Sequence, residues 1–207
     1  ATMRSPEKET ELNQLENVTL LPLDVTNIQQ IETTVKAAIH LRDIDVVFNN
    51  AGYGLVGSLE SYTEEQIRSQ FETNFFGVIE VTQAFIDLLK VAEQPRIVNV
   101  TSGLGSITLH NDPSWRYYQV KAAAYFPSKA ALNAYSTVLA YDLRDTAFKV
   151  NVVDPGYTAT DFNHHSGPGT VEDAAARVVK AAVLGADGPT GQFFSDDNSP
   201  ETGISPW

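Results

Sequence analysis

Short, almost wholly apolar segments alternate along this chain with longer segments whose apolar residues recur at helical spacing. In residues 27–41, for example, Ile31 and Val35 lie on one stripe, and Asn27 is placed to cap the helix. Strands that are apolar on both faces are typical of a parallel sheet with helices on each side. The pattern therefore predicts an α/β fold with a doubly wound parallel sheet. The predicted strands are 17–25, 44–52 (which runs into a small-residue turn), 96–102, 149–156 and 191–195, and the predicted helices are 27–41, 63–89, 125–143 and 171–184.

The composition excludes several classes of function. With 207 residues, 43% of them hydrophobic, the chain has enough apolar side chains for a single domain over residues 1–207. It has no cysteine, which excludes a disulfide framework, a thiolate nucleophile and a cysteine-based metal site. A formal charge of −12 disfavours nucleic acid as a partner. No apolar run reaches the length of a membrane span and the first residues lack the layout of a secretory signal, which predicts a cytoplasmic protein without a membrane partner.

Tyr125 and Lys129 stand four residues apart in the segment AYFPSKAALNAY, with Pro127 between them. Residues i and i+4 share one face of an α-helix, so the phenol and the ammonium can be presented to one point. Proline is tolerated in the first turn of a helix, where its missing amide hydrogen would have been unpaired. The helix is therefore predicted to start near Ala124 or Tyr125, with the pair at its entrance. An ordinary, partly exposed Tyr–Lys pair is the alternative interpretation.

Further motifs accompany this pair in one order along the chain: Asp24-Val25, Asn49-Asn50-Ala51-Gly52, Asn74, Ser102, Tyr125-x-x-x-Lys129 and Pro155-Gly156-x-x-x-Thr160. Each motif alone is a weak signal, but six in this order, each at a predicted strand end or helix, are specific. Together they resemble the short-chain dehydrogenase/reductase family, whose members are Rossmann-type oxidoreductases that use NAD or NADP. The resemblance covers the whole chain. It implies hydride transfer between a nicotinamide cofactor and a small-molecule carbonyl or secondary alcohol substrate.

The resemblance implies a catalytic role for four side chains. Tyr125 would exchange a proton with the substrate oxygen, and Lys129 would lower the pKa of its phenol and hold the nicotinamide ribose. Ser102, at the end of a buried strand, would position the substrate oxygen. Asn74, on the apolar face of its helix, would belong to a proton relay through a backbone-bound water to the lysine. The residues alone leave two other interpretations open: Ser102 as a serine that only ends a strand, and Asn74 as a satisfied buried amide.

The resemblance also implies where the adenosine and ribose parts of the dinucleotide would lie. The backbone of Asn50, Ala51 and Gly52 would approach the cofactor ribose, although a plain strand-to-loop turn explains the same residues. Asp24, followed by Val25, would contact the adenine amino group. An aspartate at a strand end often only caps the helix after it, which is the alternative.

The nicotinamide end of the cofactor is implied to meet the segment after the strand 149–156. That segment begins with the turn Pro155-Gly156, and Thr158 and Thr160 would bind the nicotinamide carboxamide. Arg4 stands where a carboxylate would favour NAD, so its guanidinium suits the 2′-phosphate of NADP. The predicted cofactor is therefore NADP, or else NAD.

The stretch NHHSGPG at residues 163–169 has the glycine and proline content of a mobile loop that would close over substrate. His164 and His165 lie within it. Adjacent side chains diverge in direction and no nearby acid or histidine completes a ligand set, so no metal site is predicted.

One part of the family pattern is not found in this sequence. Members begin with a strand, a glycine-rich Thr-Gly-x-x-x-Gly-x-Gly turn, a helix and a second strand, and this turn normally holds the pyrophosphate. Here the opening ATMR resembles the end of that second strand, and Ser5 and Pro6 are predicted to cap and begin the helix that follows. We expect the functional protein to carry the glycine-rich segment, and this N-terminally truncated sequence to be incomplete.

In the usual strand order 3-2-1-4-5-6, loss of that segment separates the strand 17–25 from the other predicted strands. Residues 45–50 are then expected to have an open edge, with Leu20, Leu21 and Leu23 left without neighbours.

The two long predicted helices carry apolar residues on more than one side, namely Phe76, Val81, Ala134 and Leu139. One sheet covers only one face of a helix, so these helices are predicted to pack against symmetry mates in a homodimer or homotetramer. The alternative to an enzyme is a truncated, non-catalytic relative that serves as a binding or regulatory module.

Overall fold

A computed structural model describes residues 1–41 and 43–207. Its strands and helices alternate along the chain as the sequence predicts, although the first strands are shorter than expected. In chain order the elements are β1 (Thr2–Met3), β2 (Leu21–Pro22), α1 (Ile28–Ile39), β3 (Val46–Asn49), α2 (Glu64–Phe71), α3 (Gly77–Leu89), β4 (Arg96–Val100), α4 (Ile107–His110), α5 (Tyr125–Asp142), β5 (Lys149–Val153), α6 (Val171–Ala182) and β6 (Phe193–Phe194).

Two parallel sheets are present in the described residues. One has the order β3-β4-β5-β6, and β1 and β2 pair with each other in the second. Within the described residues β3 is paired along one edge only, as the sequence predicts, and Phe48 on that strand is 44% exposed. The prediction that Leu23 lacks neighbours is wrong. Its amide donates to the Met3 carbonyl at 2.9 Å and its side chain is buried in the core, because α1 folds back over it.

The larger sheet is covered on both faces. On one face α3 and α5 pack with α1 around a core that includes Leu89, Ile97 and Val150, which are fully buried. On the other face α6 packs Ala181 against Val98 and other strand residues. Burial on both faces explains why these strands are apolar throughout, and the predicted doubly wound α/β fold is confirmed.

Helix boundaries follow from local chemistry at several points. The side chain of Asn27 accepts a hydrogen bond from the Gln30 amide at 3.1 Å and caps α1, as predicted. Helix α5 begins at Tyr125 with Pro127 in its first turn, which confirms the start expected from the proline. None of the described helices is both long enough and apolar enough to cross a bilayer.

Two predicted helices differ in the structure. The segment after Ser5 forms only a 3₁₀ turn at Pro6–Lys8, and the Ser5 side chain makes no capping bond. The reason is that the Glu9 carboxylate accepts from the amides of Glu11 and Leu12, at 2.8 and 3.0 Å, and starts a new turn there. The helix predicted over 63–89 is interrupted by a π-helical segment at Glu72–Phe76 between α2 and α3.

The surplus apolar surface of the long helices is smaller than the sequence suggests. Val81 is 7% exposed and Leu139 packs against the core, so neither is available to a partner. Phe76 and Ala134 are exposed, as predicted. The difference arises because α1 covers part of α3 in addition to the sheet.

Candidate active site

The loops that follow β3, β4 and β5 meet at the carboxyl edge of the larger sheet, because its strands are all parallel. Ser102 follows β4, and α5 begins at the same edge with Tyr125. A Cβ added to Gly52 would lie 3.5 Å from Lys129 Nζ, and one added to Gly54 would lie 3.4 Å from Cδ2 of Tyr125. The structure therefore brings the predicted catalytic residues of separate segments to one place.

Tyr125 is 8% exposed, and the side chain of Ser102 lies near its phenol. Burial raises the pKa of Tyr125 to about 12, against the opposing effect of Ser102, and the charge of Asp154 raises it further. The Ser102 hydroxyl accepts from the Leu104 amide at 3.2 Å, which fixes the serine at the start of a 3₁₀ turn. At neutral pH the phenol consequently keeps its proton.

Lys129 is buried one helical turn below Tyr125, and its Nζ donates to the Val100 carbonyl oxygen at 2.9 Å. Burial lowers the pKa of Lys129 to about 8, although the negative charge of Asp154 acts to raise it. Its Nζ lies 6.0 Å from the centre of the Tyr125 ring. The sequence predicts that Lys129 lowers the pKa of Tyr125, whereas here that pKa is raised. Burial dominates, and the ammonium is directed at the main chain.

Asn74 is fully buried within the π-helical segment. Its amide accepts from the Tyr53 nitrogen at 3.1 Å and donates to the Tyr53 carbonyl at 2.9 Å and the Ser128 hydroxyl at 3.1 Å. Gln70 holds the same loop, through the Tyr53 carbonyl at 2.6 Å and the Leu55 amide at 2.8 Å. The Asn74 amide is therefore hydrogen bonded through both its oxygen and its nitrogen, and its place in a proton relay stays a prediction. π-Helical turns are frequent at functional sites.

The loop after β3 exposes Asn50, Ala51 and Gly52 at this edge. A Cβ on Gly52 would lie 3.2 Å from Asn74 Oδ1 as well as close to Lys129 Nζ. The bare backbone of Gly52 thus faces an amide oxygen and an ammonium across a gap that a side chain would fill.

The turn Pro155-Gly156 after β5 is held from two sides. The Gly156 amide donates to Asp154 Oδ1 at 2.9 Å, and Arg177 Nη1 donates to the Pro155 carbonyl at 2.7 Å. Gly156 has φ +82°, and a Cβ there would lie 2.5 Å from Arg177 Nη1. Both the backbone angle and the close approach of Arg177 require glycine.

Thr158 and Thr160 lie just beyond this turn. The buried Thr158 hydroxyl donates towards the Pro155 and Gly156 carbonyls, at 3.3 and 3.2 Å. The Thr160 amide donates to Asn163 Oδ1 at 3.2 Å and starts a short 3₁₀ turn. Both threonines thus stabilise the loop, and their contact with a nicotinamide stays a prediction.

The residues predicted for the adenosine end lie at the carboxyl ends of the smaller sheet. Arg4 is exposed after β1, and Asp24 follows β2. Asp24 Oδ1 accepts from the amide and hydroxyl of Thr26, which lowers the pKa of the carboxyl, and Arg4 contributes in the same direction. Val25 touches α3, where a Cβ on Gly77 would lie 2.8 Å from the Val25 carbonyl oxygen. The cap of α1 is Asn27, so Asp24 does not serve that purpose.

Two residues of this region were not predicted from the sequence. Phe162 lies over Tyr125, with the ring centres 5.7 Å apart, and a Cβ on Gly54 would lie 2.9 Å from its Cζ. Asp154 is 4% exposed and lies beside the turns after β4 and β5. Asp154 could have been found by the argument that selected Ser102, because it is an acidic residue directly after an apolar strand, at the carboxyl edge of the sheet. Phe162 has no local signal, because its contact depends on how the loop folds back.

The family model described as short chain dehydrogenase matches residues 2–170. The chain belongs to the short-chain dehydrogenase family. An uncharacterized oxidoreductase of Schizosaccharomyces pombe is 37% identical over 168 residues, which are 81% of this chain and 67% of the yeast protein. The family that the order of motifs predicted from the sequence is thereby confirmed.

Two solved structures have the same fold as this chain. The carbonyl reductase Sniffer of Drosophila melanogaster matches with a TM-score of 0.83 and 25% identity, over 100% of this chain and 86% of the fly chain. The RhlG/NADP active-site complex of Pseudomonas aeruginosa matches with a TM-score of 0.74 and 25% identity, over 93% of this chain and 82% of the bacterial chain.

Proposed function

We propose that this short-chain dehydrogenase is an NAD(P)-dependent reductase of small carbonyl compounds, which also oxidises the corresponding secondary alcohols. The observation that carries the proposal is the buried phenol of Tyr125 at the carboxyl edge of the sheet, with Ser102 near it and the buried ammonium of Lys129 one helical turn away. A nicotinamide dinucleotide bound at this edge would supply or accept the hydride. The proton chemistry falls to the chain's own residues.

The residues at this edge fit the nicotinamide riboside half of such a cofactor. Gly52 leaves an open cradle in front of Lys129 Nζ and Asn74 Oδ1, one a donor and the other an acceptor, which suits ribose hydroxyls. Asn50 and Ala51 would line the same ribose, with Thr158 and Thr160 towards the carboxamide. The sequence contains no glycine-rich turn for the pyrophosphate, so no residue is assigned to it.

NADP is the proposed cofactor, with NAD as the alternative. Arg4 is exposed at the carboxyl end of β1, next to Asp24 on the neighbouring strand end, where a guanidinium suits the 2′-phosphate. Asp24 and Val25 would then lie beside the adenine. The likeness to a bacterial relative solved with NADP supports the same choice.

Tyr125 is proposed to deliver its phenolic proton to the carbonyl oxygen, which the Ser102 hydroxyl holds in place. Because burial raises the pKa of Tyr125 to about 12, the phenol is protonated at neutral pH and ready to donate. Alcohol oxidation needs the phenolate instead and should become faster as pH rises. Lys129 would hold the ribose and, with Asn74, return a proton to Tyr125.

Apolar side chains lie on two loops of this region. Phe162 lies over Tyr125, and Val56 and Leu59, on the loop after β3 that also carries Gly54, are 74% and 63% exposed. Exposed apolar side chains on these loops favour a substrate whose non-reacting part is apolar. We therefore propose apolar ketones or aldehydes as the substrate class.

Tyr125→Phe tests the proposal, because it removes the proton donor and leaves the ring. We expect loss of nearly all turnover with NADPH and a panel of apolar ketones, with dissociation constants for NADPH close to those of the parent protein. Cofactor binding is followed by the fluorescence of NADPH. Turnover within about tenfold of the parent would overturn the assignment.

A further inference from the structure

His110, the last residue of α4, is buried against the turn that follows Ser102. Its Nε2 lies 3.0 Å from the carbonyl oxygen of Leu104, in the 3₁₀ turn Gly103–Gly105. The amide of the same Leu104 donates to the Ser102 hydroxyl at 3.2 Å. One residue therefore connects the imidazole to the serine, with its amide bonded to Ser102 and its carbonyl to His110.

The same imidazole packs against the first turn of α5. Its ring centre lies 3.9 Å from that of Phe126, with an angle of 38° between the planes, and 5.1 Å from that of Trp115, at 75°. Phe126 directly follows Tyr125 in the chain. The buried ring of His110 thus contacts a close neighbour of each of the two hydroxyl-bearing residues of the site.

Lys121 determines which ring nitrogen of His110 carries the proton. Its Nζ lies 3.1 Å from Nδ1 of His110 and donates to the His110 carbonyl at 2.9 Å. An ammonium has donors and no acceptor, so Nδ1 must accept, and the proton of the neutral ring lies on Nε2. That proton is donated to the Leu104 carbonyl, so this tautomer satisfies both partners of the ring.

The surroundings of the ring favour its neutral form. Burial lowers the pKa of His110, the charge of Lys121 lowers it further, and the hydrogen bond to Leu104 acts in the opposite direction. The rings stacked on it, those of Phe126 and Trp115, carry no charge, and Lys121 Nζ also lies 4.2 Å from the centre of the Tyr118 ring. A proton on Nδ1 would remove the bond to Lys121 and place two positive charges side by side.

We propose that His110 is a positioning residue of the active site: as the neutral tautomer protonated on Nε2, it joins the turn that fixes Ser102 to the first turn of α5, which carries Tyr125. The proposal rests on the function proposed above for Ser102 and Tyr125. The relative position of their hydroxyls decides how well the held substrate oxygen meets the proton donor, and a displacement of about 1 Å can slow such a reaction on the order of a hundredfold. His110 acts on the rate through these two residues.

Two substitutions of His110 separate its hydrogen bond from the packing of its ring. His110→Gln keeps an amide donor at the position of Nε2 and loses the ring, whereas His110→Phe keeps a ring and loses the donor. The hydrogen bond is the more directional contact, so we expect kcat for ketone reduction to fall by about tenfold or more in His110→Phe and by clearly less in His110→Gln. The dissociation constant of NADPH should stay close to that of the parent protein in both variants.

The order of the two variants decides the outcome of this assay, which is run at a temperature where both are fully folded. A ring that only fills space predicts the opposite order, because phenylalanine packs better than glutamine between aromatic rings. A kcat of His110→Phe equal to or above that of His110→Gln would therefore overturn the proposal.

Nitrogen-15 NMR of the imidazole, in the protein without cofactor, tests the tautomer directly. We expect a protonated Nε2 and an unprotonated Nδ1 at neutral pH, with signals assigned by their loss in His110→Gln. In Lys121→Met the titration midpoint of His110 should rise by about half a pH unit or more, because a like charge and a donor to the neutral ring are both removed. Lys36→Met, exposed on α1, should leave the midpoint unchanged. An unprotonated Nε2 in the parent protein, or an unmoved midpoint in Lys121→Met, would contradict the proposal.

The two measurements also separate failure of this inference from failure of the proposed function. Lys121 is exposed, so Lys121→Met keeps the test open even if neither variant of the buried His110 folds. If Tyr125→Phe abolishes turnover while the two His110 variants follow the packing order, only the inference is wrong. No turnover by the parent protein would instead mean that the proposed function, on which the inference rests, is wrong.

Discussion

Burial of the Lys129 ammonium in the site lowers the stability of the folded protein. The pKa of Lys129 is about 8 in the folded protein against 10.5 as the ordinary value, because the ammonium is buried. Between these pH values the unfolded chain binds more protons than the folded one, so this residue makes the free energy of unfolding rise with pH. Below pH 8 both states are protonated and the full penalty of the buried charge is present.

Lys129→Met should therefore change the pH dependence of stability. Between pH 7 and pH 10, we expect the free energy of unfolding of the parent protein to rise by about 2 kcal/mol relative to that of the variant. Urea denaturation at a series of pH values measures it. Lys36→Met, at an exposed position on α1, is the control and should show a difference independent of pH. Parallel curves for Lys129→Met and the parent would mean that the ammonium is not buried.

At the scale of elements, the π-helical segment between α2 and α3 decides where Asn74 points. One extra residue in that turn places the amide against Tyr53 and Ser128, at the bottom of the cradle behind Gly52. Gln70, one turn earlier, holds the same loop through hydrogen bonds to Tyr53 and Leu55. Neither of these bonds involves the cradle behind Gly52. A comparison of Asn74 with Gln70 can thus distinguish support of the loop from a part in the chemistry.

Asn74→Ala and Gln70→Ala should each lower the free energy of unfolding by about 2 kcal/mol, because each leaves buried backbone groups without partners. Only Asn74→Ala should also reduce kcat by tenfold or more, measured at a temperature where both variants are fully folded. Equal losses of kcat would show that Asn74 acts only by holding the loop.

At the scale of the whole molecule, the exposed apolar residues of the π-helical segment and of α5 suggest an assembly. Phe76 is 45% exposed, and Val138 and Tyr141 on α5 are 60% and 64% exposed. Val81 and Leu139 pack in the core, so Phe76, Val138 and Tyr141 are the exposed side chains that could contact a partner. A two-fold pair would bury them against their own copies.

Light scattering of the parent protein should give the mass of a dimer or tetramer at micromolar concentration, and Val138→Glu should reduce that mass, because it buries a charge in the interface. Val183→Glu, with a side chain 73% exposed after α6, should leave the mass unchanged. A monomer mass for the parent would refute the prediction.

The sequence by itself determined the fold class and the order of elements, because each depends on neighbouring residues. Apolar strands on both faces of a covered sheet, the Asn27 cap and the proline in the first turn of α5 all act within a few positions of the chain. The carboxyl-edge rule then placed Ser102 close to Tyr125 without any coordinates, since parallel strands end at one edge.

The tertiary structure alone decided how these residues are held and charged. Spacing along a helix puts Lys129 near Tyr125, but it does not show that burial outweighs the ammonium or that Nζ bonds to Val100. The tie from Asp154 to Ser195 joins positions 41 residues apart. Such contacts depend on which loops meet when the sheet closes, and pKa values depend on how much water is excluded there. Local sequence patterns specify neither these contacts nor the pKa values, because both depend on residues that are distant in the chain.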